Sequence, residues 1–153
     1  MKYFVKKEEI ETKEHSEIYE ITEQIEKATG ESGIKEGHVI VQPMHTTIGI
    51  YLNEGEERLL KDFIIHLSNS VPQIEGKYLH DNISERDCPE DEPLNGHSHI
   101  KSALYSNPSL SLILMNGKLQ LGRYQKILLA EFDGPCPRKN KEKRSYMISI
   151  VGN

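Results

Sequence analysis

The run Leu112-Ile113-Leu114-Met115-Asn116-Gly117-Lys118-Leu119-Gln120-Leu121 constrains this chain more than any other segment. Asn-Gly accepts the positive φ of a type I′ turn, so two apolar arms around it predict a two-residue β-hairpin. Other segments extend the β reading. Residues 2–10 and 15–21 read as the two arms of an opening hairpin, with Tyr3, Val5 and Ile18 in short alternating contexts. Val39-Ile40-Val41, residues 47–52 and residues 126–132 are strand candidates. Asp133-Gly134-Pro135 marks a sharp turn, and residues 146–151 form a closing strand.

Two segments have the helical period instead. Thr22 is a candidate N-cap for a helix through about Glu31, with Ile25, Ala28 and Thr29 on one face and Gly30 and Gly33 at its end. Residues 55–69 repeat Leu59, Leu60, Phe63, Ile64 and Leu67 at helical spacing, and Pro72 follows. His66 lies near that stripe and reads as a partly buried helix residue. Residues 81–92, with Pro89 and many acids, read as a long surface loop. The chain is therefore β-rich with two helices, without the βαβ alternation of a parallel sheet.

At 153 residues the chain is long enough for one core without disulfide staples. Hydrophobic content of 36%, a mean hydropathy of -0.59 and the lack of tryptophan predict a modest core, which makes oligomerisation a natural way to bury more surface. A net charge of -5 argues against a nucleic-acid or anionic-membrane binder. The basic run at residues 138–144 reads as a solvated hairpin loop. Residues 1–7 carry no apolar stretch of signal-peptide length, and the longest apolar run, residues 127–130, is too short to span a bilayer. A cytoplasmic protein is expected, with Cys88 and Cys136 as free thiols.

The chemistry concentrates in two histidine clusters, Pro43-Met44-His45-Thr46-Thr47 and Asn95-Gly96-His97-Ser98-His99-Ile100-Lys101-Ser102. On a strand, His97 and His99 would share a face and could chelate one metal ion. Ile100, Ala103 and Leu104 instead fit helical spacing, with Asn95 or Gly96 at the helix start. Deep in a helix, residues two apart point about 200° apart. An open zinc-type site needs a third protein ligand, for which His45 is the first candidate and His80, beside Asp81, the second. Thr46 and Thr47 could add hydroxyls. Lys101, Arg123 and Gln125 could bind an anion, helped by free N–H groups at the helix start. Glu131 and Asp133 could serve as ligand, general base or histidine orienter. For each of these groups a plain surface or hydrogen-bonded role is the alternative. No Walker loop, dinucleotide fingerprint, nucleophile elbow or CxxC pair occurs.

These clusters, together with residues 116–125 (Asn-Gly-Lys-Leu-Gln-Leu-Gly-Arg-Tyr-Gln) and 131–135 (Glu-Phe-Asp-Gly-Pro), give the chain its resemblance to the YjbQ-type family, often labelled secondary thiamine-phosphate synthases. Order and spacing agree from about residue 15 to the C-terminus. The resemblance implies one compact α+β domain of twisted antiparallel, sandwich-like sheets with two or three helices, assembled as a homotrimer. It implies a polar, histidine-lined site in which metal ions can bind, made up by position of His45, Thr46, His97, His99, Lys101, Arg123 and Glu131. Joined to the reading of the residues above, the expectation is a divalent metal ion, zinc or magnesium, held by His45, His97 and His99, a small phosphorylated substrate bound by Thr46, Thr47, Asn95, Lys101, Arg123 and Gln125, and chemistry by His45, Glu131 and Asp133. The glycine that family members commonly have near Tyr105-Ser106 is missing here, as is the usual residue at Met44. The implied reaction joins a hydroxymethylpyrimidine diphosphate to a thiazole phosphate. A non-catalytic metal- or metabolite-binding protein using the same pocket is the alternative.

Overall fold

The computed structural model describes residues 1–89, 91–139 and 141–153. Its strands are β1 (Lys2–Ile10), β2 (Glu17–Glu20), β3 (Gly37–Pro43), β4 (Ile48–Glu54), β5 (Leu110–Met115), β6 (Lys118–Leu119), β7 (Gln125–Glu131) and β8 (Arg144–Gly152), and its helices are α1 (Thr22–Ser32), α2 (Glu57–Ser70) and α3 (Gly96–Tyr105). Every strand pair is antiparallel. A five-stranded sheet has the order β1-β8-β3-β5-β6, and a three-stranded sheet has the order β2-β7-β4. The molecule is a compact α+β fold of two antiparallel sheets and three helices. No helix among the described residues is long and apolar enough to cross a membrane.

The Asn116-Gly117 hairpin forms as its sequence predicts, with φ of 54° and 73° at the two turn residues. The opening hairpin does not form. β1 pairs with β8, and β2 pairs with β7 in the other sheet. Both segments are β-prone, and β1, nine residues long, finds in the nine-residue β8 a partner of its own length where the four-residue β2 could pair less than half of it. Helix α1 starts where expected, but Thr22 is not its cap. Ile21 holds the N-cap position without a side-chain bond, and the Thr22 hydroxyl accepts from the Ile127 N–H (2.9 Å). Gly33 ends α1 with a φ of 64°. His66 is exposed on α2, with its ring edge-on to Tyr105. Of the loops expected at 81–92 and 138–144, Glu90 and Asn140 lie outside the described residues.

Strand alternation explains the layers. Ile127 and Leu129 of β7 face the five-stranded sheet, where Val39, Val41, Ile148 and Ile150 join them with Ile25 and Ala28 of α1. Ala130 and its neighbour Phe132 cluster separately with Leu67 of α2, and Ile18 and Tyr51 pack against them. The small sheet is thus covered on both sides. Glu131 continues the Ile127–Leu129 face, so its carboxylate is carried between the sheets.

Candidate functional site

Helix α3 is held at its N-terminus by the preceding segment. Asp81, in a short 3₁₀ turn over Leu79–Asp81, accepts from the Gly96 N–H (2.8 Å). Only a glycine fits there, because a Cβ on residue 96 would stand 2.7 Å from the Tyr78 Cβ. The Asn95 carbonyl accepts from the Ser98 and His99 N–H groups, while its side-chain amide donates to Asp133 (2.8 Å). An Asp81 carboxylate therefore already occupies part of the helix start that the sequence offers to an anion.

His97 and His99 do lie in the first turn of α3, and they face different partners. His97 is fully buried and stacks on His15, with ring centroids 5.2 Å apart, interplanar angle 13° and Nε2 atoms 3.2 Å apart. His99 lies against His80, centroid to centroid 4.5 Å. The Ser98 hydroxyl donates to the Phe132 carbonyl (2.5 Å), so it can only accept at His97 Nε2 (3.1 Å). That assigns the proton to Nε2 and leaves a lone pair on His97 Nδ1. Nδ1 is buried and has no partner among the described residues, and the same holds for Asn95 Oδ1 and His80 Nε2.

Lys101 lies one helical turn beyond His97 and is 2% exposed. No hydrogen bond or ion pair to its ammonium occurs among the described residues. Burial lowers its pKa. Burial, and after it the Lys101 charge, pushes His97 down to about 4 and lowers His15 as well. The two imidazoles are neutral at pH 7, so Lys101 is the cation of the cluster, while Asp81 acts on His97 and Asp133 and Glu131 act on His15 from nearby.

The expected acids are already engaged. Glu131 is fully buried and takes both Arg144 Nε (2.6 Å) and Nη2 (3.1 Å). It also accepts from the Thr12 hydroxyl (2.9 Å) and the Asp133 N–H (2.8 Å). With four donors on two oxygens it is an anchor between sheets rather than a free base. Asp133 pairs with Arg138 at 2.6 Å, and burial raises its pKa in spite of that partner.

The remaining residues lie apart. His45 is half-buried with Nε2 3.4 Å from the Ser145 hydroxyl, in a cleft of about 560 Å³ shared with Lys7 and Lys143. Burial, then Arg144, lowers its pKa. Thr46 is exposed, whereas Thr47 is buried and gives its carbonyl to the Phe132 N–H. Arg123 is exposed over the Tyr124 ring, and the Gln125 side chain accepts from the Gly122 N–H. Gln125 and Glu131 are the two ends of β7, which puts them about 20 Å apart at strand rise. Among the described residues, no three His, Cys, Asp or Glu side chains converge to hold a metal ion. The three ligands expected, His45, His97 and His99, do not converge among the described residues of one chain: the helix turns His97 to His15 and His99 to His80. His15, which sequence reasoning missed, sits alone in a polar loop whose only link to α3 is tertiary.

This fold, with its histidine-lined helix start, is that of an antiparallel α+β family whose model, "UPF0047 protein YjbQ-like", matches residues 6–153. The chain belongs to the YjbQ/UPF0047 family. It is 37% identical over 130 residues to a UPF0047 protein of Archaeoglobus fulgidus, covering 85% of this chain and 92% of that one. With a UPF0047 protein of Methanocaldococcus jannaschii it shares 34% over 150 residues, covering 96% and 94%. Among solved structures, a YbjQ-like protein of unknown function from Sulfolobus solfataricus superposes with a TM-score of 0.82 at 26% identity, covering 99% of both chains. A yjbq/upf0047 family protein of Clostridium acetobutylicum gives 0.79 at 32% identity, covering 95% of this chain and 98% of that one.

Proposed function

We propose that this chain is an enzyme acting on small phosphorylated substrates, with the phosphate held against Lys101 beside His97 and His15. One observation carries the reading: a lysine 2% exposed with no counter-charge among the described residues. An isolated buried cation is costly, and an anionic ligand removes that cost. The same locus presents two unpartnered acceptors, His97 Nδ1 and Asn95 Oδ1. A ligand that brings a hydroxyl or amino donor beside its phosphate satisfies all three groups.

Lys101 then stabilises the negative charge that grows on a departing phosphate or diphosphate, and the His97 lone pair accepts a proton from the ligand's donor. The thiamine-phosphate condensation is the named candidate reaction, since it expels diphosphate. Arg123 and Gln125 reach such a site only from another subunit, and we assign them to it in a homotrimer. Support for a subunit contact comes from the outer face of the five-stranded sheet, where Tyr3, Val5, Ile40, Ile113 and Met115 are exposed.

Calorimetric titration of chelator-treated protein with phosphate and with pyrophosphate tests the reading. Saturable binding that Lys101→Met weakens at least tenfold is expected, with product formed from the two thiamine precursors. No binding of either anion refutes it. Binding without turnover leaves the non-catalytic metabolite-binding alternative in its place.

A further inference from the structure

We infer that the pocket between α2, β4 and the end of α3 is a binding site for a small, uncharged, flat ring bearing one hydrogen-bond acceptor. The pocket is about 230 Å³ and is lined by Tyr51, Asn53, Phe63, His66, Leu67 and Tyr105. Tyr51 and Asn53 are two apart on β4 and so share its outer face. Phe63 and Leu67 are one turn apart on α2, which lies across that face. His66 and Tyr105 close the side, edge to face at 6.3 Å and 79°.

The Tyr51 hydroxyl is buried and has no partner among the described residues. Burial alone raises its pKa, so it is a neutral O–H donor at any physiological pH. A phenol O–H that is buried and unpaired is rare in a folded protein, and it points to a ligand that accepts from it. Water is a poor occupant, because a buried water needs two to four polar partners and these walls are mostly carbon. An anion is excluded by the lining, which contains no lysine or arginine. Size decides between a ring and something larger. A dry cavity of about 150 Å³ takes benzene, whereas drug-sized ligands need about 300–1,000 Å³. This pocket therefore holds one ring with a small substituent. Aromatic walls favour offset or edge contacts with a flat ring. At the rim, Asn53 uses its side-chain oxygen on the Glu54 N–H (2.8 Å), which leaves its amide N–H₂ to donate to the substituent.

The site is independent of the Lys101 locus and of the reaction assigned to it. Its test uses the full chain, with nicotinamide as the acceptor-bearing ring and toluene as the ring without an acceptor. Both are titrated while the Leu67 methyl and Asn53 side-chain amide signals are followed by NMR. Saturable shifts are expected at these groups for both probes, with nicotinamide bound more tightly. Tyr51→Phe is expected to weaken nicotinamide about five- to tenfold and leave toluene unchanged. Its melting temperature should not fall, since the hydroxyl has no partner among the described residues to lose. His66→Trp, at an exposed position, should block both probes. The inference is overturned if neither probe binds, if shifts map elsewhere, if Tyr51→Phe binds nicotinamide as well as wild type, or if that variant melts lower.

Discussion

Replacing Lys101 by methionine separates the cost of a buried charge from its use. Lys101 is 2% exposed as a residue, and its ammonium finds no carboxylate among the described residues. Methionine has nearly the same length and no charge to desolvate. Replacing buried charged groups by apolar ones of similar volume stabilises proteins by about 1–4 kcal/mol. For a chain of this size that raises the melting temperature by roughly 3–12 °C. The pH dependence has a definite sign. Burial lowers the folded pKa below the ordinary 10.5, so the unfolded chain binds the proton more tightly than the folded one. The penalty is complete below the lowered folded value and is relieved as pH rises from there to 10.5. The advantage of Lys101→Met is therefore largest at neutral pH and shrinks in alkali. Phosphate should act oppositely. At a hundredfold excess over its Kd it adds about 2.7 kcal/mol to wild type, and far less to the variant. Differential scanning calorimetry at pH 7 and pH 10, with and without phosphate, reads all four conditions. A variant that melts lower than wild type, or that phosphate stabilises equally, shows that Lys101 has a counter-charge and binds no anion.

Glu131→Ala should destabilise the fold by about 3–5 kcal/mol, because it leaves the Arg144 guanidinium buried without its carboxylate. Urea denaturation measures this, and phosphate affinity of the folded protein should be unchanged. His97 is held at about 4 by burial and by Lys101, so the unfolded chain takes up its proton near 6.5 and the folded one near 4. Stability is then lost as pH falls through that interval, by up to about 3 kcal/mol. His97→Asn should remove that part of the acid sensitivity in urea titrations at pH 7 and pH 4.5. Gly96→Ala pushes a Cβ against Tyr78 and His80 and should cost about 1–3 kcal/mol. It should also increase exchange of the Gly96 region's amides, seen by hydrogen exchange.

Much of the fold was legible because its signals are local. Asn116-Gly117 specifies its turn from two residues, and the stripe from Leu59 to Leu67 specifies α2 from its own period. The opening hairpin was misread for the complementary reason. Strand propensity says that residues 2–10 and 17–20 are extended, but partner choice is non-local. β1 found all nine positions of its register on β8, a pairing with the far end of the chain that no window of sequence displays. Thr22 was misread at the level of one bond: its hydroxyl is a good cap in isolation, yet the β7 backbone at Ile127 claims it.

The site shows the same division more sharply. The sequence picked out His97 and Lys101, and both are buried on α3. It read a helix start at Asn95 or Gly96 that argues against a simple chelate by His97 and His99, and the helix does turn them to separate partners, His15 and His80, the first of which no local pattern pointed to. It offered Glu131 as a base, because a carboxylate on a strand is indistinguishable from one that will face Arg144 across a core. Chemistry depends on what each group lacks after folding. Glu131 lacks nothing, with four donors on its two oxygens. Lys101, His97 Nδ1 and Asn95 Oδ1 find no partner among the described residues, within two turns of one helix. Unsatisfied groups are costly unless a ligand answers them. That asymmetry, rather than the number of histidines, is what supports the anion site proposed for this end of α3.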